Sequence, residues 1–176
     1  MRSIVIPHDQ ARSPRLRHLA TASDFHDAVG GWLEPIEMPA LGVTVYVNEA
    51  ARREHHPINC RAMALWWLYS AEPMHYPIFL GDVVLVSTDD GEESTALLER
   101  IIGDIFEPRE FVVQIKPYGR GSWHDSFARF TDVFDAATWC MLFVTTLRPG
   151  ALLRLQSRVP VPSPSVDAIL GGDELR

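Results

Sequence analysis

Apolar and polar positions along the chain recur at two periods, and the switch between them predicts an alternation of strands and helices. Ser3 to Pro7 is a short strand rich in Ile and Val, stopped by proline. His8 to Ala20 is polar and basic, with Arg12, Arg15, Arg17 and His18, and reads as a connector. From Thr21 to Trp32, Phe25, Ala28 and Val29 share one helical face, Ser23 or Asp24 supplies the cap, and Gly30-Gly31 ends the helix. Leu33 to Met38 and Val43 to Asn48 alternate as strands do, and the Pro39 to Gly42 turn between them is short enough for an antiparallel hairpin. Glu49 to Pro57 is a polar loop. Asn59 then caps a helix through Tyr69, with Ala62, Leu65, Trp66 and Tyr69 toward the core and Met63 and Trp67 on a flank.

Val83 to Ser87 is almost wholly apolar and reads as a central strand. Asp89 to Glu93 forms an acidic turn. Ser94 to Gly103 fits a helix, with a strand as the alternative, and Glu110 to Pro117 is a strand. Gly119 to Ser122 is a flexible turn. Phe127, Phe130, Val133, Phe134, Ala137 and Met141 recur at steps of three and four, which predicts a helix over Ser126 to Phe143; Phe143 to Leu147 also suits a strand. A tail begins near Gln156, and its Val159 to Ser165 stretch has too many prolines for helix or sheet. The expected fold is α+β: a small mixed or antiparallel sheet with helices packed on one face and an extended C-terminal tail. The expected division is residues 1–90, an extension over 91–155 packed on them, and a Pro-rich tail over 156–176.

Composition adds bounds. A chain of 176 residues can bury a core without a disulfide or metal staple. With 47% hydrophobic residues, disorder as the main state is excluded. Cys60 and Cys140 lie in apolar runs outside any Cys-x-x-Cys pattern, so buried reduced thiols are expected, as in a reducing cytoplasm. Neither a signal peptide nor a stretch long enough to span a membrane is visible, so a protein neither secreted nor membrane-embedded is expected. The net charge of −7 argues against a general nucleic-acid binder, which needs a basic footprint.

Four segments stand in an order that carries a likeness: Val29-Gly30-Gly31-Trp32-Leu33-Glu34, Val45-Tyr46-Val47-Asn48-Glu49, Pro57-Ile58-Asn59-Cys60-Arg61-Ala62, and Leu80-Gly81-Asp82-Val83-Val84-Leu85-Val86. Over roughly residues 1–90 the chain resembles a domain of unknown function found in phages, plasmids and integrative elements. That family has Glu-Gly-Lys after its Asn-Glu, where this chain has Ala50-Ala51-Arg52-Arg53, and Gly-Leu before its proline, where this chain has His55-His56. The resemblance implies a genomic setting and a bacterial cytoplasm rather than a reaction. It implies an accessory protein whose partner is a host or element protein, with self-association as a further option, and it brings no catalytic residues or cofactor.

The candidate binding residues cluster around the loop where the chain departs from that pattern. Asn48, Glu49, Asn59 and Arg61 flank it and would converge on a small ligand or a partner; the structural alternative has Asn48 closing a turn, Asn59 capping a helix and Glu49 paired with Arg61. His55, His56 and Cys60 have metal-ligand chemistry but no partner at a recognisable spacing, so an exposed loop pair and a buried thiol are expected in place of a metal site or a nucleophile. Trp67 and Trp123 are candidate contact anchors. Walker, GxGxxG and GxSxG patterns are absent, and a catalytic constellation is not expected. A non-enzymatic binder of a host or element protein leads, followed by a small-ligand-binding or sequestering protein and a DNA-associated regulator using Arg12, Arg15 and Arg17.

Overall fold

The computed structural model describes residues 1–38, 42–69, 77–87, 92–147 and 150–158. Its larger sheet is built from β1 (Arg2–Ile6), β2 (Arg15–His18), β3 (Leu33–Met38), β4 (Val43–Asn48) and β5 (Val83–Ser87), in the order β2-β1-β5-β4-β3. Every neighbouring pair is antiparallel, and β5 lies at the centre, as its unbroken apolar sequence predicts. The expected hairpin forms between β3 and β4 with Leu33 opposite Asn48 and Met38 opposite Val43. β2 falls inside the expected connector. Its four side chains are all exposed, so nothing but backbone pairing with β1 marks it as a strand.

Strand alternation sends side chains to two faces. Ile4, Ile6, Val43, Val45, Val47, Val83 and Leu85 face one way and pack against α2 (Cys60–Tyr69) and α3 (Glu92–Phe106). The α3 face is set by Leu98, Ile101, Ile102 and Ile105, at the spacing of one helical stripe, so the strand alternative for this segment falls away. Val5, Val84 and Val86 face the other way, against α1 (Ala22–Val29) through Ala28, Val29 and Phe25. The helix layer on one face is therefore joined by a helix on the opposite face. The cap of α1 is Thr21 rather than Ser23: its hydroxyl accepts from the Asp24 backbone N–H at 3.2 Å, and the Asp24 carboxylate accepts from the Thr21 N–H at 2.8 Å. Gly30 ends the helix at φ +74°.

A second antiparallel sheet, in the order β7-β6-β8, comprises β6 (Glu110–Lys116), β7 (His124–Phe130) and β8 (Leu152–Arg158). Here the expectations need correcting. The predicted helix over Ser126 to Phe143 is a strand to Phe130, a turn at Thr131-Asp132, and α4 (Val133–Leu142), capped by Asp132. The segment Phe143–Leu147 is a π-helical turn rather than a strand. β8 runs through the point where the tail was expected to start, to Arg158. Val133, Phe134 and Ala136 of α4 and Phe111 of β6 enter the same core as α2 and α3, so both sheets share it. Of the acidic turn expected over Asp89 to Glu93, Glu92 and Glu93 begin α3, while residues 88–91, residues 39–41 of the hairpin turn and the tail from 159 lie outside the described residues.

Candidate functional site

The four motifs are joined in pairs, and each joint is a close approach of backbone to a side chain. Asn48, at the end of β4, is buried and closes the following turn by accepting from the Ala50 N–H at 2.8 Å. Its amide donates to the Gly30 carbonyl at 3.2 Å and to Glu54 at 3.3 Å. A Cβ on Gly31 would stand 2.5 Å from Asn48 Nδ2, so glycine is what lets this side chain lie against the Gly-Gly turn. The Glu49 N–H then donates to Trp32 O at 2.8 Å, which ties the first motif to the second.

Asn59 makes the other joint. It is fully buried, its Oδ1 caps α2 through the Ala62 N–H at 3.0 Å, and its Nδ2 donates to Ile6 O and Gly81 O, each at 2.9 Å. Gly81 N donates to Pro57 O at 2.9 Å, and Asp82 holds the chain after β1 through the His8 N–H at 3.0 Å, His8 Nδ1 at 2.7 Å and Arg12 at 3.2 Å. The Pro-x-Asn and Gly-Asp-Val motifs thus lock β1, β5 and the start of α2 together.

Between the joints, residues 49–57 form the expected polar loop. At its start lies a cleft of about 310 Å³ lined by Glu34, Ile36, Val47, Asn48, Glu49, Ala51, Arg52, Ile78 and Leu80. The side chains of Glu34, Glu49 and Arg52 have no hydrogen bond or ion pair among the described residues. Ile78 of the lining is 57% exposed, and Ile58, bridged to Leu80 of the lining, 55%; Trp32, 72% exposed, turns its ring edge-on to His26 of α1 at 5.0 Å. Ile58 and Ile78 are not among the expected binding residues, because which apolar side chains stay exposed is set by the fold and not by their spacing.

The expected convergence is only partial. Asn48 and Glu49 border the cleft, whereas Asn59 is sealed in the core and Arg61 turns away. Arg61 donates to Arg12 O and Gln10 O at 2.7 and 2.9 Å and stacks over the Phe134 ring at 5.4 Å, so it does not pair with Glu49. His55 is exposed at φ +57°. His56 lies against Gly81 and pairs with Glu54 at 3.3 Å. Cys60 is exposed, contrary to expectation, because the first residue of α2 points away from the strands that hold Asn59. Cys140 is buried, and burial pushes its thiol up to about 12. Among the described residues no three His, Cys, Asp or Glu side chains are placed to hold a metal ion. Trp67 packs against the second sheet, with Val113 and Cys140, and Trp123 lies partly buried beneath Arg154.

A second polar group, invisible in the sequence, sits where the two sheets meet. Asp104 of α3 is buried, accepts from Tyr69 O–H at 2.6 Å and pairs with Arg109 at 3.2 Å. Burial, then the Asp104 charge, raises the Tyr69 phenol well above its usual range. Arg109 also reaches Ser157 of β8 at 3.3 Å, and a Cβ on Gly103 would stand 2.6 Å from its guanidinium.

These joints define an α+β domain in which paired Gly and Asn motifs fix the sheet and its loop. The chain belongs to the family described as Domain of unknown function (DUF3846), whose model matches residues 1–109. No curated protein and no solved structure matches it. The match takes in α3, beyond the expected boundary at 90, and stops one residue before β6. No helix among the described residues is long and apolar enough to cross a membrane.

Proposed function

We propose that this protein is a non-enzymatic accessory protein of a phage or plasmid, and that it binds a host or element protein in the bacterial cytoplasm through the face around the Glu49 cleft. The observation that carries this reading is the pair of large apolar side chains left exposed there, Ile78 in the cleft lining and Ile58 bridged to Leu80 of that lining, beside the unpaired charges of Glu34, Glu49 and Arg52. Apolar anchors set within a charged rim are how protein interfaces concentrate binding energy. The joints at Asn48 and Asn59 support it by holding the loop rigidly, so little ordering entropy opposes docking. The order of the four motifs, which resembles a domain of mobile elements, supplies the setting. The small-ligand reading keeps less support, because Asn59 and Arg61 are engaged with backbone away from the cleft.

Affinity capture from host lysate tests this, run in parallel with the wild type and with an Ile58→Glu/Ile78→Glu variant. Both side chains are exposed, so the variant should fold. A partner held by the wild type and lost by the variant is the expected result. Equal recovery by both, or no specific partner, would remove the proposal.

A further inference from the structure

Charge is unevenly placed along this chain. Residues 1–109 carry 9 Lys and Arg against 16 Asp and Glu, whereas residues 110–158 carry 6 against 4. The net value of −7 therefore hides a basic region. Lys116, Arg129, Arg154 and Arg158 lie on one face of the second sheet, together with Glu110 and Asp125. Val113, Ile115, Leu153 and Leu155 alternate inward, toward Cys140 and Trp67. The residues between them, paired in register as Gln114 with Asp125 and Arg154, and Lys116 with Leu152, face the other way.

Trp123 lies on that outward face. The Arg154 guanidinium stands 4.5 Å from its ring centroid and the Lys116 ammonium 5.6 Å. Asp125 is already engaged: Gln114 donates to it at 2.6 Å and Arg158 at 3.2 Å, and these contacts hold its carboxyl below the usual range. Neither Lys116 nor Arg154 has a carboxylate within ion-pair distance among the described residues. Two further rings flank the face without cover. Tyr118 is 80% exposed in the turn after β6, at φ +55°. Phe127 is 93% exposed where β7 bulges, three residues (126–128) lying between the partners of Val112 and Gln114.

We propose that this outer face of β6, β7 and β8 binds single-stranded nucleic acid. Tyr118 and Phe127 supply the stacking surfaces, and Lys116 and Arg154, gathered at Trp123, supply charge for the phosphates. The combination selects the ligand. A polyanion without bases, such as polyglutamate, satisfies the cations and leaves the rings without a stacking partner. A duplex hides its base faces, whereas an unpaired strand presents bases and phosphates together. The acidic family half does not prevent this, since at physiological salt its field decays over about 8 Å. The site is separate from the Glu49 cleft and stands or falls independently of it.

The test is fluorescence anisotropy with the full chain and labelled oligothymidylate or oligouridylate of about 16 nucleotides, the two strands distinguishing DNA from RNA. Binding of either is expected, with log K falling against log salt at a slope of about −1.4 for two phosphates. Arg154→Glu should remove most of it. Tyr118→Ala and Phe127→Ala, both at exposed positions, should each weaken binding about fivefold or more while leaving the melting temperature unchanged. Absence of binding to both strands at low salt overturns the proposal. So does polyglutamate binding as tightly as the oligonucleotides, or a Tyr118→Ala/Phe127→Ala double variant that binds like the wild type, since either reduces the face to a general anion surface.

Discussion

The family half and the second sheet use the same antiparallel pairing and finish their surfaces in opposite ways. In the larger sheet both edge strands are blunted. β2 is lined with Arg15, Arg17 and His18. On β3 the carbonyl of Trp32 accepts from Glu49, so by alternation Leu33, Pro35 and Glu37 turn their backbone groups to the free edge, and Pro35 has no N–H to offer there. Such edges resist pairing with another chain. The acidic half offers a cleft; the basic half offers an open sheet face with rings on it. In the family half the motifs that build the frame also carry exposed side chains, Trp32, Glu34 and Ile58 among them, whereas the exposed rings of the second sheet lie beyond residue 109.

The sharpest way to break the comparison is to cut the chain where the family match ends. Phe111, Val133, Phe134 and Ala136 fill the core that α2 and α3 share with the larger sheet. A fragment of residues 1–109 should therefore lose cooperative unfolding, measured by thermal melting followed by circular dichroism. A fragment melting as sharply as the whole chain would show two independent domains.

Asn59→Ala should cost next most. It strands Ile6 O, Gly81 O and the Ala62 N–H inside the protein, and at about 1–3 kcal/mol for each unsatisfied group, with some relaxation, the loss is about 3–5 kcal/mol. Urea unfolding measures it, and a loss below about 1 kcal/mol would mean the joint is ornamental. Asp104→Ala probes the seam between the halves. It leaves the half-buried Tyr69 O–H without its acceptor and Arg109 with Glu107 and Ser157 alone, for a loss of about 2–3 kcal/mol. If stability is unchanged, the Asp104 contacts do not hold α3 to the second sheet.

Which of these features the sequence displays depends on whether their causes are local. The Val43 to Asn48 alternation and the Asn59 cap are local, and both read correctly. Asn48 as a turn residue was legible for the same reason. The β7 strand was not, because Phe127, Phe130, Val133 and Phe134 mimic a helical stripe although Phe127 faces water. β2 has no apolar pattern, since its stability comes from pairing with β1. Leu153 and Leu155 do alternate with Arg154 and Gln156 in β8, but the prolines that follow drew the boundary too early. At the site, Arg61 meets the carbonyls of Gln10 and Arg12, and Tyr69 meets Asp104, contacts between distant segments that spacing does not encode. Cys60 misled because an apolar run does not tell which side of a helix a residue occupies.

A smaller effect sits on α1, in the acidic half. Asp24 accepts from the Ala20 and Thr21 backbone N–H groups, and these bonds hold its carboxyl below the usual range. A depressed folded value means the stabilisation is present above the unfolded value, about 3.9, and is lost as pH falls through the folded value. Asp24→Asn should flatten the stability profile below about pH 4, and a profile parallel to the wild type would remove Asp24 from the account. Thr21→Ala should cost about 1 kcal/mol at neutral pH.

The smallest expected effect tests the loop itself. His55 holds φ +57°, where the pattern that the first half resembles has glycine. A left-handed conformation costs an L-residue about 1–2 kcal/mol, while glycine raises the entropy lost on folding by about 0.5–1 kcal/mol. The two nearly offset, and the balance favours His55→Gly by roughly 0.5 kcal/mol. A gain of that size, with partner capture unchanged, would mean that the histidine is strained without serving the interface. A gain in stability accompanied by loss of the partner would instead assign His55 to the docking face, the strain being retained for binding. A loss of stability would show that the histidine side chain contributes more than its backbone strain removes.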